Sequence, residues 1–295
     1  MDFENIIKKF NYDQQLATFL ENLYQELLIY YGEEKKSIIY ETLLNTQIVS
    51  TKNCYNYLYS NGYIQDDENE EMYKVVTGTY FSEPKIEYDF DSKSFKIIDL
   101  SRIIVIKNLD LQHEYIKASL IHEIVHAIKS YNKGYEIVGD TLIRRVGLNE
   151  SAIRLYLENN IVKGNDLFDL GIGLEEGTTS IAEEELMRKM FNENYRVSGY
   201  QVINQITKTL IEALSLEESI KNAQFYKNKD ELSIDSEIFE KINKILDKIY
   251  ELTLIMYENI FNLEKIDETT KLIEEILVTQ FHPLLKELEE KRCRR

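Results

Sequence analysis

Two of the four histidines, His122 and His126, stand four residues apart in the segment SLIHEIVHAI, with Glu123 beside the first. In a helix, residues i and i+4 lie one turn apart on the same face, so both imidazoles can bind one ion. Zinc accepts such nitrogens at about 2.0–2.1 Å. Glu123 would lie beside the ion, where its carboxylate can accept a proton from water that the metal activates. The spacing predicts a zinc (Zn2+) site with Glu123 as general base.

The residues around this motif are aliphatic or small, and no other charged residue occurs between Lys117 and Lys129. A buried glutamate and two buried histidines are costly unless they have partners. Metal ligation supplies such partners, so the aliphatic context favours a metal site over a chance occurrence of the motif. The flanking residues are Leu120, Ile121, Ile124, Val125, Ala127 and Ile128.

A catalytic zinc site needs a third protein ligand and an open position. The segment GIGLEEGTTSIAEEEL offers Glu176 at the start of a predicted helix, where neighbouring glycines allow a close approach of the backbone. A helix N-terminus also favours a carboxylate without any metal, which is the structural alternative for Glu176. Glu150, in LNES, is the second choice of ligand.

The other two histidines are poor ligand candidates. His113 lies nine residues before His122, which is too far along a helix axis for both to bind one ion. His282 precedes a proline near the C-terminal end of the sequence, and nothing around it indicates a site.

The pattern His122–Glu123–x–x–His126, followed by LEEGTT at 174–179, resembles the zincin metallopeptidases, in particular the gluzincin branch. In many gluzincins the second motif has the sequence N-E-G-x-[TA], and the glutamate of this motif is the third zinc ligand. The resemblance implies that Glu176 is this ligand and that Glu175 replaces the asparagine. It also implies an α+β, mostly helical fold with a zincin-like core, a small antiparallel or mixed sheet and an active-site helix.

The resemblance has two departures. The spacing of 50 from His126 to Glu176 exceeds that of the best-known gluzincins, so a hairpin must be inserted. Ser180 occupies the i+4 place, where the family has an aspartate that orients a ligand. Glu183 at i+7 or Thr179 at i+3 could orient a histidine instead.

Zincins lay an extended peptide along an edge strand just before the active-site helix, and main-chain hydrogen bonds suit such substrates. The resemblance implies that RIIVIKN or KIEYDF forms this edge. Gluzincins use Tyr, His or Arg as the oxyanion donor. Tyr200, in RVSGYQV at a loop-to-helix junction, is the predicted donor here. The alternatives are Arg144, Arg145 and Arg154, which fit the exposed face of a hairpin better.

The hydrophobic pattern predicts helices over most of the chain and strands in its middle third. Residues 135–170 are ambiguous, with a hairpin around Asn149–Glu150, and Asp91–Ser92–Lys93 supplies a turn between two strands. The predicted strands are 74–81, 85–90, 94–100 and 102–108, and the predicted helices are 14–31, 34–60, 112–131, 175–192, 198–214, 216–225, 235–262 and 266–292.

The acidic segment QDDENEE at 65–71 is the predicted boundary of an N-terminal helical region. We expect three regions: 1–71 helical, 72–214 the zincin-like catalytic core, and 215–295 a C-terminal helical bundle. The amphipathic pattern of the last two helices favours packing within that bundle.

The composition restricts the classes of molecule that the protein is expected to bind. The formal net charge of -17 disfavours nucleic acid and anionic membrane surfaces. The N-terminus lacks a signal-peptide pattern, no apolar stretch predicts a membrane span, and the two cysteines form no disulfide framework. We therefore expect a cytoplasmic protein.

The sequence predicts a zinc metallopeptidase that acts on a peptide or protein substrate. A non-catalytic helical binding protein with a structural or retired zinc site is the alternative, and a hydrolase of a non-peptide substrate is a third possibility. Glu123 discriminates between the first two, because a structural site needs ligands but no general base. Cleavage specificity and oligomeric state have no signal in the sequence.

Overall fold

The structure, a computed structural model, describes residues 3–64, 76–130, 134–197, 199–225 and 234–293. Helix and sheet are mixed, and helix predominates, which confirms the broad α+β, mostly helical class. The described helices are α1 (Glu4–Phe10), α2 (Gln14–Tyr31), α3 (Lys36–Asn45), α4 (Cys54–Ser60), α5 (Glu114–Ser130), α6 (Ile172–Met190), α7 (Gln201–Leu214), α8 (Glu217–Ala223), α9 (Ser236–Glu258), α10 (Leu263–Ile276) and α11 (His282–Cys293). The strands are β1 (Gln47–Thr51), β2 (Gly78–Asp89), β3 (Ser94–Lys107), β4 (Tyr135–Val138), β5 (Thr141–Val146), β6 (Asn149–Glu158) and β7 (Ile161–Leu170).

Strands β2 and β3 form a long antiparallel hairpin that turns at residues 90–93, as the sequence predicts. The predicted pairs of short strands are each one continuous strand. A register shift between Lys85 and Ile86 marks the place where two strands were expected in β2, next to Pro84, which has no N–H to donate. Residues 74 and 75 of the first predicted strand lie outside the described residues.

The predicted helix over 34–60 is wrong in its middle. Helix α3 ends at Asn45, and β1 pairs in parallel with the last residues of β3 before α4 begins. Ile48 and Val49 are β-branched, which suits a strand, and Ile48 is buried opposite Ile104. Tertiary pairing with a hydrophobic strand therefore decides the structure of this segment.

The order of the first sheet is β1-β3-β2. The RIIVIKN segment lies in β3, which is paired on both sides, so the expectation that it forms an edge is wrong. KIEYDF belongs to β2, and β2 lies at an edge of this sheet as the structure describes it.

The ambiguous segment 135–170 forms a second sheet in the order β4-β5-β6-β7. Strands β5 and β6 are neighbours, as predicted, but their turn is Gly147–Leu148 rather than Asn149–Glu150. Gly147 has a φ of 56°, in the left-handed region that glycine adopts without strain. This sheet occupies most of the sequence between His126 and Glu176.

Helix α5 is buried along almost its whole length and packs against β2 and β3. Every residue from Leu120 to Ser130 is buried, including both motif histidines and Glu123. Each aliphatic side chain that leaves water here contributes about 1.5–3 kcal/mol to stability. The motif is thus fixed on a helix with little freedom to move.

The chain forms two compact units. The first comprises residues 1–146, 151–168 and 182–195, and the second comprises 147–150, 169–181 and 196–295. The core of the second unit is built from the buried faces of α7 and α9 with Leu148 and Leu174. The three regions predicted from the sequence, 1–71, 72–214 and 215–295, stay predictions.

The C-terminal helices are amphipathic, as predicted, with Ile242, Leu246 and Ile249 of α9 buried. The single helix expected over 266–292 is interrupted by a π-helical turn, Leu277–Phe281, between α10 and α11. Among the described helices, none combines the length and the apolar character that crossing a membrane requires.

Candidate metal centre

His122 and His126 stand one turn apart on α5, and their Nε2 atoms lie 3.1 Å apart. Both side chains are buried, with 8% of each residue exposed. Two ligands of a tetrahedral zinc ion with bonds of about 2.0–2.1 Å are separated by about 3.3 Å. The two imidazoles therefore present their nitrogens as a zinc-binding pair.

Glu176 lies in the second turn of α6. One nitrogen from each histidine and one oxygen of Glu176 all lie within 4.8 Å of one another. The three ligands predicted from the sequence are thus together, and two imidazole nitrogens with a carboxylate oxygen are a donor set that zinc uses. Within the described residues, Glu150, His113 and His282 are outside this group.

A buried carboxylate sets the tautomer of His122. Its Nδ1–H donates to Glu183 Oε2 at 2.9 Å, so Nε2 keeps its lone pair for a metal. Glu183 and Glu176 lie two turns apart on the same face of α6, so one continuous helix carries the ligand and the orienting group. Of the two predicted orienting residues, Glu183 is confirmed, whereas the Thr179 hydroxyl donates to the Glu175 carbonyl at 2.9 Å.

The other carboxylate oxygen of Glu183, Oε1, accepts a hydrogen bond from the Tyr195 hydroxyl. Burial and the Glu183 carboxylate raise the pKa of Tyr195, so its hydroxyl stays protonated and donates. The Arg188 Nε–H donates to the Tyr195 carbonyl at 2.9 Å, and the same guanidinium pairs with Glu184. Sequence analysis missed Tyr195, since it lies beyond the end of α6 in a segment without a motif.

Glu175 has a different task from its neighbour. Its buried carboxylate accepts the Leu148 N–H at 2.9 Å and so fixes the turn between β5 and β6. A Cβ atom on Gly147 would lie 2.0 Å from Glu175 Oε2, so only glycine allows this approach. Glu175 is thus committed to the turn, whereas Glu176 is the member of the pair that lies with the two histidines.

The carboxylate of Glu123 faces β2. It accepts the Tyr80 N–H at 2.5 Å, and a Cβ on Gly78 would come within 3.2 Å of Glu123 Cγ. The Tyr80 hydroxyl lies 2.6 Å from Ser130 Oγ at the end of α5. The predicted general base is therefore held against the edge strand on which a peptide was expected to lie.

Tyr200, the predicted oxyanion donor, immediately precedes α7, which confirms the loop-to-helix junction. Its ring packs near Tyr250 and Tyr257 of α9, with centroid distances of 5.8 and 6.3 Å. Its role as a donor to a substrate stays a prediction. The alternative donors Arg145 and Arg154 lie near Glu136 and Asp140, at 3.8 and 3.6 Å.

In comparisons with known proteins, no protein-family model matches the chain, and no curated protein or solved structure matches it. The gluzincin resemblance therefore rests on the motif residues alone and stays a prediction.

Proposed function

We propose that this protein is a zinc-dependent hydrolase, and more specifically a peptidase. The observation that carries the proposal is the convergence of His122, His126 and Glu176 within 4.8 Å, next to the buried Glu123. Two histidines and a carboxylate as ligands, with the His122 tautomer set by Glu183 and a second carboxylate, Glu123, next to His122, are the groups that metal-assisted hydrolysis requires.

Bound zinc would polarise the scissile carbonyl and lower the pKa of water at the site. Glu123 would accept the proton of the attacking water and pass it to the leaving nitrogen. Glu183 would keep His122 in the tautomer that binds the metal. Tyr200 is the proposed hydrogen-bond donor to the oxyanion that develops at the carbonyl.

The proposed substrate is an extended peptide that pairs with the edge strand β2. Main-chain hydrogen bonds to an edge strand give affinity without demanding a particular sequence. The net charge of -17 favours neutral or basic peptides through electrostatic steering. This argument makes nucleic acid and anionic membranes poor partners.

The first experiment is elemental analysis of protein purified without a metal-chelating tag. We expect close to one zinc ion per chain in the wild type and much less in Glu176→Ala. Wild-type protein that holds no zinc even after reconstitution would exclude both the site and the proposed activity.

The second experiment measures cleavage of a mixed peptide library by the wild type and by Glu123→Gln. Glutamine keeps the shape and one acceptor oxygen for the Tyr80 N–H but is not a base. We expect normal zinc content and a rate reduced by about 100-fold to 10,000-fold, the usual contribution of a general base.

A second candidate function is that of a binding protein in which the metal is structural. The hydrogen bond from the Tyr80 N–H to Glu123 favours it, because this bond gives the buried glutamate a role without catalysis. Zinc-loaded wild-type protein that cleaves no peptide in the library would support this candidate over the peptidase.

A further inference from the structure

The start of α6 is capped by a side chain from a distant helix. Asp247 of α9 accepts the Gly171 N–H through Oδ2 and the Gly173 N–H through Oδ1, both at 2.8 Å. The first amides of a helix have no partner within the helix, and a side chain just before the helix usually supplies one. Gly171 has no side chain, so the carboxylate of Asp247 takes this place.

The backbone packing at this end of α6 is unusually close. A Cβ on Gly173 would lie 2.3 Å from the Leu246 carbonyl oxygen, and a Cβ on Gly171 would lie 2.6 Å from the Leu148 carbonyl oxygen. Gly171 also has a φ of 90°, which other residues rarely adopt. Two hydrogen bonds and two backbone contacts therefore define where α6 starts and in which direction it points.

Glu176 follows Gly173 by three residues, within the turns that this cap fixes. We propose that Asp247 is a positioning residue for the metal centre: it holds the start of α6 so that the Glu176 carboxylate meets the two histidines. The proposal rests on the proposed function, since it assumes that His122, His126 and Glu176 bind zinc. It assigns to the C-terminal helix α9 a part in metal affinity beyond packing.

The test is the zinc dissociation constant of Asp247→Ala, measured by competition with a chromophoric chelator. Loss of a side chain that hydrogen-bonds to a metal ligand commonly weakens metal binding by about 10-fold to 100-fold. Asp247 instead bonds to the backbone of Gly173, three residues before Glu176, so we expect a loss near the lower end, about 10-fold. We expect a smaller loss in Asp247→Asn, since its one amide oxygen can still accept one of the two N–H groups. The same substitution in a Glu176→Ala background should change zinc affinity by less than twofold, because the residue being positioned is gone.

Asp235→Ala is the matched control. Asp235 caps α9 by accepting the Glu237 and Ile238 N–H groups at 3.0 and 3.2 Å, so its loss also removes a helix cap. Thermal unfolding should show that both alanine variants are destabilised, but only Asp247→Ala should lose zinc affinity. The visible spectrum of the cobalt-substituted protein should change in Asp247→Ala and not in Asp235→Ala.

Three results would overturn the inference. One is unchanged zinc affinity in folded Asp247→Ala, another is an equal loss in Asp235→Ala, and the third is additivity of the Asp247 and Glu176 substitutions. Asp247→Asn carries the test if the alanine variant does not fold. A wild type without zinc would instead overturn the proposed function, so the two failures are distinguishable.

Discussion

Helices α5 and α6 carry the proposed ligands, but they hold them by different means. The histidines of α5 lie in an unbroken buried stretch from Leu120 to Ser130, and their spacing follows from the helical period. The ligand end of α6 instead depends on glycines and long-range hydrogen bonds. Glu175 reaches Leu148, Asp247 reaches Gly171 and Gly173, and a Cβ on Gly177 would lie 2.0 Å from Thr207 Oγ1.

The positions of the proposed ligands on the two helices are therefore determined in two different ways. The spacing of the histidine pair is set by local geometry, so it persists as long as α5 is folded, and only the ring orientation of His122 depends on Glu183. Glu176 is placed by partners far away in sequence, so a change at any of them can move it. We therefore expect distant substitutions to displace Glu176 more than the two histidines of the proposed metal centre.

The largest effect should come from the ligands of α5. His126→Ala removes one nitrogen of the pair, and we expect zinc affinity to fall by more than about 100-fold, beyond what outer-sphere changes cause. Glu176→Ala should weaken zinc binding less, because both imidazoles remain. Chelator competition measures both losses, with far-UV circular dichroism as the check on folding. A larger loss in Glu176→Ala would reverse the ranking of the two helices.

A substitution at Gly147 tests the anchor of α6 at the β5–β6 turn. Gly147→Ala forces alanine into a left-handed conformation and displaces Glu175 from Leu148, which should cost about 3–4 kcal/mol of unfolding free energy. Gly139→Ala is the control: its φ is 65°, yet a Cβ there meets no atom of the described residues within 4 Å. That variant should lose only about 1–2 kcal/mol, the cost of the left-handed conformation alone. Equal losses in urea titrations of the two variants would show that the Glu175 anchor matters little.

Substitutions at Tyr195 and Tyr200 should separate an effect on zinc binding from an effect on catalysis. Tyr195→Phe removes the donor to Glu183, and we expect about a 10-fold loss of zinc affinity because His122 is then less firmly oriented. Tyr200→Phe should leave zinc affinity unchanged and reduce kcat by about 100-fold, as loss of an oxyanion donor does. Isothermal titration with zinc and steady-state peptide cleavage distinguish the two. Reduced zinc affinity in Tyr200→Phe would remove the assignment of Tyr200 to the substrate.

The smallest effect should be at Ser180. Its hydroxyl is fully buried on α6 without a hydrogen-bond partner among the described residues. Ser180→Ala should therefore leave the unfolding free energy unchanged or raise it by up to about 1 kcal/mol, with normal zinc affinity. A drop in zinc affinity would show that Ser180 orients a ligand. In the gluzincins, which the sequence motif resembles, the aspartate four residues after the glutamate has this role.

The parts of the molecule that follow from local pattern were predictable from sequence. The long apolar run and the i, i+4 histidines identify α5, and Asp91–Ser92–Lys93 identifies the β2–β3 turn. The motif of the gluzincins, which the sequence resembles, favours Glu176 over Glu175 as the third zinc ligand. The structure adds a physical reason, namely that Glu175 is bonded to Leu148.

The remainder depends on tertiary contacts that no local pattern encodes. Strand β1 is only five residues long within a segment whose apolar spacing also suits a helix, and its pairing with β3 decides its state. Tyr195 and Asp247 act at the ends of α6 from outside it, and neither lies in a motif. Such partners are visible only once the chain is folded.

The cap on α6 also has a consequence for the order in which the protein is made. Asp247 enters the growing chain 74 residues after Gly173. At translation rates of about 5–20 residues per second, this is a delay of roughly 4–15 s. During that interval the nascent polypeptide already has both histidines and Glu176 but lacks the carboxylate that caps α6, the helix that carries Glu176. The proposed tight zinc capture would therefore come late in synthesis, after about half of α9 has been added.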